Sequence, residues 1–309
     1  MKRYGWFGAC EYGKYLAGYN ENMDVSFCIV NLNSKKHLND CVASISGSLN
    51  KFSYEIIISD NNSIDGSVEY IQKKYPNVHF IINPRNEGYT KAINQALRVS
   101  LGNYKVILNP DSVLMPDSII KLLTFMSSDE NIGIAGPKVI DITGSFQKSC
   151  RRGIARPAAV FSYFFGLSKL YPSNEKFTGY HLNHLDLNEI NEVGGVSGSC
   201  MVIRKDVIDH IGYFDEQYFA YQEDSDYCLT AKRNGWKVYY YPGAIVRHIG
   251  GQGGSNSVPT RAIFEWHRSY VRYYYKNFAK DYSSIFNIIY LTIMICKLII
   301  AQITYMIKQ

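Results

Sequence analysis

A lone carboxylate stands behind a proline at the point where a strongly apolar run of the sequence stops. In KVILNPDS, the apolar residues 106–108 are followed by Asn109, Pro110 and Asp111. Carboxylates bind divalent cations such as Mg²⁺, together with phosphate oxygens and water. Asp111 therefore predicts a metal site at the end of a buried strand, and a polar turn is the structural alternative.

Apolar segments of the same kind recur along the first third of the chain. VSFCIV, YEIIIS, VHFII and YKVIL each have the composition of a strand that is buried on both faces, and segments with helical periodicity separate them. Strands of this type alternating with helices indicate a parallel sheet that is covered on both sides. We therefore predict an α/β fold with a mostly parallel central sheet flanked by helices.

Amides or carboxylates follow each of these four strands. They are Asn31 and Asn33 after the first strand, Asp60 after the second, residues 83–86 after the third and Asp111 after the fourth. Ligands of open α/β sheets bind beyond the carboxyl ends of the strands. These side chains are therefore expected to converge on one crevice and to contact the ligand there.

The class of ligand is narrowed by motifs that the sequence lacks. A dinucleotide-binding fold needs GxGxxG directly after its first strand, and the corresponding segment NLNSKK has no glycine; a P-loop is also absent. Phosphates in the crevice would then be neutralised by a divalent metal. The net charge of +6 suits an anionic ligand or membrane surface, but no dense Arg/Lys stretch indicates nucleic acid.

The cysteines and the first residues bear on the cellular compartment. The seven cysteines include no CxxC pair, so neither a zinc ribbon nor a thioredoxin-like motif is indicated. Cys28, Cys200 and Cys228 lie in apolar patterns and are expected in the core. This usage suits a reducing cytoplasm. Residues 1–22 lack the apolar core of a signal peptide and are expected to be an N-terminal extension.

Six segments, in order along the chain, resemble a known enzyme family. They are IVNLNS, SDNNSIDGS, NEGYTKAIN, LNPDS, VGGVSGSCMVIRKDVIDHIGYFDEQYFAYQEDSDYCLTAKRNGWKV and VRHIGGQG. Together, from Val25 to Asn277, they resemble a family 2 glycosyltransferase of the GT-A fold, close to the bacterial rhamnosyltransferase-like branch. The resemblance implies that a nucleotide-sugar lies across the strand ends, that Mg²⁺ or Mn²⁺ bridges its diphosphate, and that transfer inverts the anomeric carbon.

The resemblance gives the lone carboxylate a role in metal binding. The family's Asp-x-Asp motif is Asn109-Pro110-Asp111 here, so one carboxylate is an amide, as also happens in the rhamnosyltransferase-like branch. Asp111 would bind the metal, with Asn109 beside it. His248 matches a family histidine that can coordinate the metal from the far side of the diphosphate. The glycine-rich sequence after His248 would form a flap that closes over the donor.

Further donor contacts are implied in the same way. Asp60 resembles the residue that accepts a hydrogen bond from the imide N–H of uracil or thymine, which suits a UDP- or dTDP-sugar. The alternative is an Asx turn ahead of a helix. Asn86 and Gly88 would lie near the ribose and the diphosphate. Lys91 would add a positive charge there, or would be an ordinary exposed residue of a helix.

The segment YQEDSDY matches an acidic pair that the family carries near the acceptor, at the start of a helix. Asp224, next to Glu223, would be the general base that takes the proton of the acceptor hydroxyl as its oxygen attacks the anomeric carbon. Asp226 is the rival assignment. Acidic residues that only stabilise the first turn of the helix are the structural alternative.

Arginines cluster in a stretch that lacks clear periodicity, between residues 140 and 190. Arg151, Arg152 and Arg156 could hold a lipid-linked diphosphate acceptor, since the related enzymes use this stretch to cover the acceptor side. A solvated loop explains them equally well, and the sequence leaves both readings open.

The apolar segment 285–307 is just long enough to cross a bilayer. Lys297 in its middle argues against a clean span. Asn287, Lys297 and Gln302 are expected on different faces of the helix, which fits a simple interfacial helix poorly. We expect the tail, residues 281–309, to associate with the membrane surface, either spanning it or lying on it. A helix buried in a dimer interface is the alternative.

The sequence thus predicts an inverting, metal-dependent glycosyltransferase at the cytoplasmic face of a bacterial inner (plasma) membrane, peripheral or tail-anchored. The catalytic domain would be residues 23–280, with a nucleotide-binding half at 23–112 and an acceptor half at 113–280. It would move rhamnose or another hexose from a UDP- or dTDP-sugar to a lipid-linked glycan of a surface polysaccharide. The rivals are a nucleotidyltransferase, which usually has a Gly/Arg/Lys-rich loop after its first strand, and a non-catalytic sugar-binding or scaffold protein.

Overall fold

The computed structural model describes residues 23–49, 52–250 and 258–308. The expected N-terminal extension and most of the expected glycine-rich flap lie outside these ranges. The strands are β1 Val25–Asn31, β2 Tyr54–Asp60, β3 Val78–Ile82, β4 Tyr104–Leu108, β5 Ser112–Leu114, β6 Ile132–Ile140, β7 Arg151–Arg152, β8 Asn191–Glu192, β9 Gly195–Val196, β10 Cys200–Arg204 and β11 Lys237–His248. The helices are α1 Lys35–Ser46, α2 Ser67–Lys74, α3 Tyr89–Val99, α4 Ser118–Ser127, α5 Pro157–Phe164, α6 Leu167–Leu170, α7 Glu175–Thr178, α8 Lys205–Ile211, α9 Glu223–Arg233, α10 Pro259–Asn277 and α11 Ser284–Ile307. Short 3₁₀ helices cover Lys148–Cys150 and Ala279–Asp281.

One large sheet runs in the order β3-β2-β1-β4-β10-β6-β11-β5, and β8 pairs with β11. The first four strands are parallel to one another, as the sequence predicts. The second half of the sheet is mixed, because β10 pairs antiparallel with both β4 and β6, while β6 and β11 are parallel. The α/β fold with helices on both faces is confirmed, but the parallel arrangement dominates only in the first half.

The two faces of β1 show why these strands are apolar throughout. Phe27 and Ile29 pack into the core under α1 and α4, whereas Cys28 and Val30 point to the opposite core, under α3 and α9. All four side chains are buried. Because successive strand residues alternate between faces, a sheet covered on both sides needs an apolar residue at nearly every position. The polar residues are thereby confined to the strand ends.

Helices α10 and α11 form an antiparallel pair with its own aromatic core. Tyr274 of α10 stacks on Tyr290 of α11 with ring centroids 3.9 Å apart. Buried Tyr270, Tyr273 and Met294 belong to the same cluster. Helix α11 is long and apolar enough to cross a membrane, by length and composition.

The polar residues of α11 do not point to different faces, so that expectation is wrong. The Asn287 Nδ2 donates to the carbonyl of Ala279 at 3.1 Å, just after α10, and the Gln302 Nε2 donates to the carbonyl of Thr260 at 2.7 Å. The Lys297 Nζ lies 3.5 Å from the His267 Nε2. All three therefore face α10 or the turn that follows it, since their positions fall within about 140° on a helix of 3.6 residues per turn.

Candidate active site

A cavity of about 540 Å³ opens at the carboxyl ends of the parallel strands. Each of the four predicted strand ends contributes a residue to its lining: Leu32, Asn61, Asn86 and Asp111. The opposite wall comes from the N-terminal ends of α9 and α10. Parallel strands deliver their carboxyl ends to one edge of the sheet, which is why residues so far apart in sequence share this cavity.

Asp111 and His248 meet because the strands that carry them are paired. β11 runs antiparallel to β5, and His248 is in register with Ser112, the residue after Asp111. The His248 Nε2 lies 3.2 Å from the Asp111 Oδ1. The same Nε2 lies 3.3 Å from the Asn109 Nδ2, and the backbone N–H of Gly250 donates to the Asp111 Oδ2 at 2.9 Å.

The surroundings of Asp111 favour its ionised form. Burial alone would raise the pKa of this carboxyl group, but the hydrogen bond and the charge of His248 act in the opposite direction. The hydrogen bond from Gly250 acts in the same direction as His248, and the pKa of Asp111 is lowered below its ordinary value. A buried carboxylate held in this way is suited to face a cation.

Gln147 orients His248. Its Oε1 lies 2.9 Å from the His248 Nδ1, and its Nε2 donates to the His248 carbonyl at 2.6 Å. Since an amide oxygen only accepts, the imidazole N–H is at Nδ1 in the neutral ring, and Nε2 turns its lone pair toward the cavity. No motif indicated Gln147, because it lies 101 residues from His248 along the chain, in an irregular stretch.

This arrangement fits a divalent cation. A lone pair on the His248 Nε2 and a carboxylate oxygen of Asp111 face each other, and a proton or a cation between them balances the contact. Two neighbouring ligands at about 2.1 Å from one octahedral ion lie about 3 Å apart, close to the 3.2 Å seen here. The described ranges contain no group of three or more His, Cys, Asp or Glu side chains that could hold a metal ion by themselves. Water and diphosphate oxygens would therefore complete the shell.

The predicted residues Asn31, Asn33 and Asp60 lie behind the cavity wall. The Asn31 Nδ2 donates to the Asp60 Oδ1 at 2.7 Å, and the Asp60 Oδ2 accepts from the backbone N–H of Ser63 at 2.8 Å. The Asn33 Oδ1 accepts from the backbone N–H of Ile64 at 2.8 Å. This network holds the loop after β2, and none of the three predicted residues lines the cavity.

Asn61 lines the cavity in place of its neighbour Asp60. Its Nδ2 donates to the Gly88 carbonyl at 3.1 Å, and its Oδ1 accepts from the Asn83 Nδ2 at 3.1 Å. Sequence reasoning named the first polar residue after the strand and missed the second. The alternation of side chains at a strand end is the signal that would have favoured Asn61.

The loop after β3 contributes Asn86 to the cavity lining, whereas the predicted residues Gly88 and Lys91 lie outside the lining. Asn86 lines the cavity, and its Oδ1 accepts from the Gly88 N–H at 3.0 Å. Gly88 has a φ of +92°, and a Cβ there would lie 2.7 Å from the ring of Phe219, so only glycine fits. The Lys91 Nζ pairs with the Glu87 Oε2 at 2.7 Å and is half-exposed outside the cavity.

Glu223 and Asp224 begin α9 and line the same cavity; the part around them is its base end. The Asp224 Oδ2 accepts hydrogen bonds from the guanidinium of Arg152, with which it forms a buried ion pair, and from the Gly198 N–H at 3.1 Å. Asp226 points elsewhere. It pairs with the Lys276 Nζ at 2.7 Å and lies outside the cavity lining.

Glu223 and the neighbouring ion pair of Asp224 with Arg152 differ in how their charges are compensated. Burial, together with the charge of Asp224, raises the pKa of Glu223 to about 8, and the Glu223 Oε2 is buried without a hydrogen-bond partner. Burial opposes the charge of Arg152, but Asp224 outweighs it and the pKa of Arg152 is raised. Glu223 therefore carries a proton at neutral pH, while the ion pair next to it is charged.

The three clustered arginines have separate roles. Arg151 is buried and donates to the backbone carbonyls of Leu185 and Asp186 at 2.6 and 2.7 Å. The guanidinium of Arg156 lies 5.7 Å from the centre of the Phe278 ring. Of the three, only Arg152 lines the cavity. Their closeness in sequence did not indicate which one faces the site.

One wall of the cavity is made by α10 and residues 163–181. Sequence reasoning expected the stretch 140–190 on the acceptor side but named only its arginines, and it missed α10. Tyr163, His181, Glu265 and Trp266 line the cavity there. The Glu265 Oε2 and the His181 Nδ1 are buried without partners. Burial and the nearby charge of Arg152 lower the pKa of His181 to about 4, so its ring is neutral at pH 7. This wall combines aromatic rings with unpaired polar atoms.

The amino-acid sequence of the chain is similar to sequences of known proteins. The model of the family described as Glycosyl transferase family 2 matches residues 26–212. The chain is 31% identical over 225 residues to an N-acetylglucosaminyl-diphospho-decaprenol L-rhamnosyltransferase of Mycobacterium tuberculosis, which covers 69% of this chain and 71% of that protein. It is 27% identical over 201 residues to the dTDP-rhamnosyl transferase RfbF of Shigella flexneri, covering 64% of this chain and 60% of that protein.

A solved structure shows the same fold. The structure of GalNAc-T7 with UDP, GalNAc and Mn²⁺ matches with a TM-score of 0.57 and 20% identity. The match covers 83% of this chain but only 48% of that one. At this identity the likeness concerns the fold alone.

Proposed function

This chain belongs to glycosyl transferase family 2, and we propose that it transfers a sugar from a UDP- or dTDP-linked donor, with inversion, to a lipid-linked glycan acceptor. The observation that carries the proposal is the pairing of Asp111 with His248 at the carboxyl ends of the parallel strands, across one cavity from Asp224. The names of the mycobacterial and Shigella relatives favour a dTDP-rhamnose donor and a diphospho-lipid acceptor.

The donor end of the cavity is proposed to lie between Asn61 and Asp111. Asn61 and Asn86 present amide groups, which can pair with a pyrimidine base and a ribose. Asp60, Asn31 and Asn33 would act through the loop that they hold, and Asn109 would orient His248. We propose residues 23–112 as the nucleotide-binding half and residues 113–280 as the acceptor half.

Asp111 and His248 are the proposed metal ligands, with Mg²⁺ or Mn²⁺ as the ion. When bound, such an ion neutralises negative charge that develops on a departing nucleoside diphosphate. Asp111 contributes the charged oxygen, and Gln147 keeps the His248 Nε2 directed at the same point. The glycine-rich sequence begins at Gly250, whose backbone N–H donates to the Asp111 Oδ2.

Asp224 is the proposed general base. An acceptor hydroxyl next to its carboxylate would lose a proton as the oxygen attacks the anomeric carbon. Arg152 occupies one carboxylate oxygen and so fixes the orientation of the group. Protonated Glu223 can donate a hydrogen bond to a sugar hydroxyl beside it. The aromatic rings and the unpaired Oε2 of Glu265 on the α10 wall suit the ring faces and hydroxyls of an acceptor sugar.

Thermal shift with nucleotides tests the donor site. UDP, dTDP, GDP and CDP are each added with Mg²⁺, with Mn²⁺ or with chelator. A ligand present at 100 times its dissociation constant raises the unfolding free energy by about 2.7 kcal/mol. We expect a metal-dependent shift with UDP or dTDP that disappears in Asp111→Ala and persists in Asp209→Ala, an exposed aspartate paired with Lys205 outside the cavity.

Each outcome of this screen decides a separate point. A metal-dependent shift with GDP alone would refute the pyrimidine donor but keep the site. No shift with any nucleotide, in protein shown to be folded, would overturn the donor site itself. If UDP or dTDP gives the expected shift, the next assay is the transfer of labelled rhamnose from dTDP-rhamnose to a diphospho-polyprenol acceptor.

A further inference from the structure

The outward face of α11 is mostly apolar, and the hydroxyls of its two exposed threonines, Thr292 and Thr304, donate to carbonyls of the helix itself. Eight isoleucines and Met306 on this helix are exposed, and Ile285, Ile288 and Ile307 are each more than 60% exposed. Only Tyr290 and Met294 of the helix are buried. The sequence of α11 contains no acidic residue, and Asn287, Lys297 and Gln302 face α10 or the turn that follows it.

The inward face of α11 holds the helix on the catalytic domain. Tyr290 stacks on Tyr274, and Phe161 of α5 contacts Tyr290 with ring centroids 5.4 Å apart. The Lys297 Nζ lies 4.5 Å from the centre of the Trp266 ring. If α11 left α10 to cross a bilayer, these aromatic residues would lose their packing and Lys297 would face lipid, which is costly at the centre of a membrane.

We propose that α11 lies in the plane of the membrane, with its isoleucine face in the lipid and its polar face on α10. A helix with one apolar face and one polar face lies at the interface with its apolar side buried about 5–10 Å. Lys308 is exposed at one end of the helix and can contact anionic headgroups, while Lys280 at the other end is exposed beside the acidic Asp281. The helix is long and apolar enough to cross a bilayer, yet little of it is buried within the protein, so the bilayer is the occupant that fits its exposed face.

This orientation of α11 also determines where the cavity lies relative to the membrane. Trp266 lines the cavity on one side and meets Lys297 of α11 on the other, so the helix lies directly behind the α10 wall. Phe165, Leu170 and Tyr171, in the segment that packs beside α11, are exposed as well. The α10 wall of the cavity would therefore lie next to the lipid headgroups. The route of a lipid-linked acceptor along this wall rests on the proposed function, whereas the seating of α11 does not.

Vesicle flotation tests the surface. The full-length protein is mixed with vesicles of equal parts phosphatidylethanolamine and phosphatidylglycerol. We expect Ile288→Lys/Ile295→Lys/Ile299→Lys to lower vesicle binding by more than about 100-fold, while Ile142→Lys, at an isoleucine 69% exposed outside α11, binds as the parent does. The unfolding temperature without ligand should be similar in all three proteins, which separates this result from a failure to fold and does not depend on nucleotide binding.

Depth measurements distinguish lying from spanning. Cys296 is exposed on α11, and the other cysteines in the described ranges are buried. A fluorophore on Cys296 in the Cys10→Ser protein is therefore specific, and Ile288→Cys and Ile303→Cys in a background that also carries Cys296→Ser give two further positions. Quenching by spin-labelled lipids should place all three labels at the same shallow depth.

Three outcomes would overturn the proposal. A label at 296 much deeper than those at 288 and 303 would show a spanning helix. Flotation of the triple lysine variant like the parent would show that another surface binds lipid. A parent protein that does not float but dimerises, with the triple variant monomeric, would assign the face to a second copy of the chain.

Discussion

The two ends of the cavity differ in how completely the protein satisfies its own polar groups. At the metal end, each oxygen of Asp111 and each ring nitrogen of His248 lies close to a polar group, and a proton or a cation between the Asp111 Oδ1 and the His248 Nε2 completes the set. At the base end, the Glu223 Oε2, the Glu265 Oε2 and the His181 Nδ1 are buried without any. Native proteins leave few buried polar atoms unpaired, and such atoms often mark a functional site.

The contrast suggests when each end is complete. The metal end is already assembled by backbone register, through the pairing of β5 with β11. The base end carries a protonated carboxyl group, an ion pair and orphaned atoms, which acceptor hydroxyls could satisfy. We infer that the donor end is preformed and that the base end reaches its full set of hydrogen bonds only with an acceptor bound.

Asp224→Asn is expected to have the largest effect on transfer. Removing a general base costs about 10²–10⁴-fold in rate, and the amide also weakens the pair with Arg152. The rate of sugar transfer should fall by this amount while the metal-dependent nucleotide shift remains. The matched variant is Asp226→Asn, outside the cavity, which should lower stability but retain most of the rate. Equal loss in both would refute the assignment of the base.

Asp111→Asn should affect the other end by a comparable or smaller factor. Loss of the charged oxygen that faces the developing diphosphate charge costs about 10²–10³-fold. In Asp111→Asn, adding the metal should no longer increase the thermal shift caused by the nucleotide. In Asp224→Asn, the metal should still increase it. Metal titration of the thermal shift checks the difference. If both variants lost nucleotide binding, the two ends would not be separate.

Gln147→Ala probes how far the metal end is preorganised. Loss of a partner that orients a ligating histidine typically lowers metal affinity about 10–100-fold. Gln147→Glu keeps an acceptor for the His248 Nδ1–H and should recover most of that affinity. Titration with Mn²⁺ in the presence of UDP or dTDP measures both variants. Equal affinity in all three proteins would show that His248 needs no orientation or does not bind the metal.

Glu223→Gln should produce the smallest effect, visible in the pH dependence of stability. Because the pKa of Glu223 is raised to about 8 in the folded chain, the folded state holds a proton that the unfolded state releases above about 4.3. Between these values stability falls with rising pH, because the folded state holds a proton that the unfolded state has already released. The glutamine variant should lose this decline, so its unfolding temperature should exceed the parent's most clearly near pH 8. Parallel curves would refute the protonated carboxyl group.

Several features of the fold followed from the sequence because they depend on local patterns. Apolar runs broken by helical periodicity predict the parallel strands β1 to β4, and the polar residues at their ends predict the crevice. The antiparallel direction of β10, the short β5 and the course of the irregular segment 140–190 follow from no such pattern. Their positions depend on pairing with distant strands, which a single sequence does not encode in any local period.

The residue types and their order along the chain determined the family, the strand ends and the candidate residues Asp111, Glu223, Asp224 and His248. Only the tertiary structure decided that Asn61 lines the cavity rather than Asp60, that Arg152 rather than Arg151 pairs with Asp224, and that Lys91 turns away. It also decided that Asn287, Lys297 and Gln302 share one face of α11 against α10. The physical reason is that neighbours in sequence alternate between faces, and which face is wet depends on the elements that pack against it.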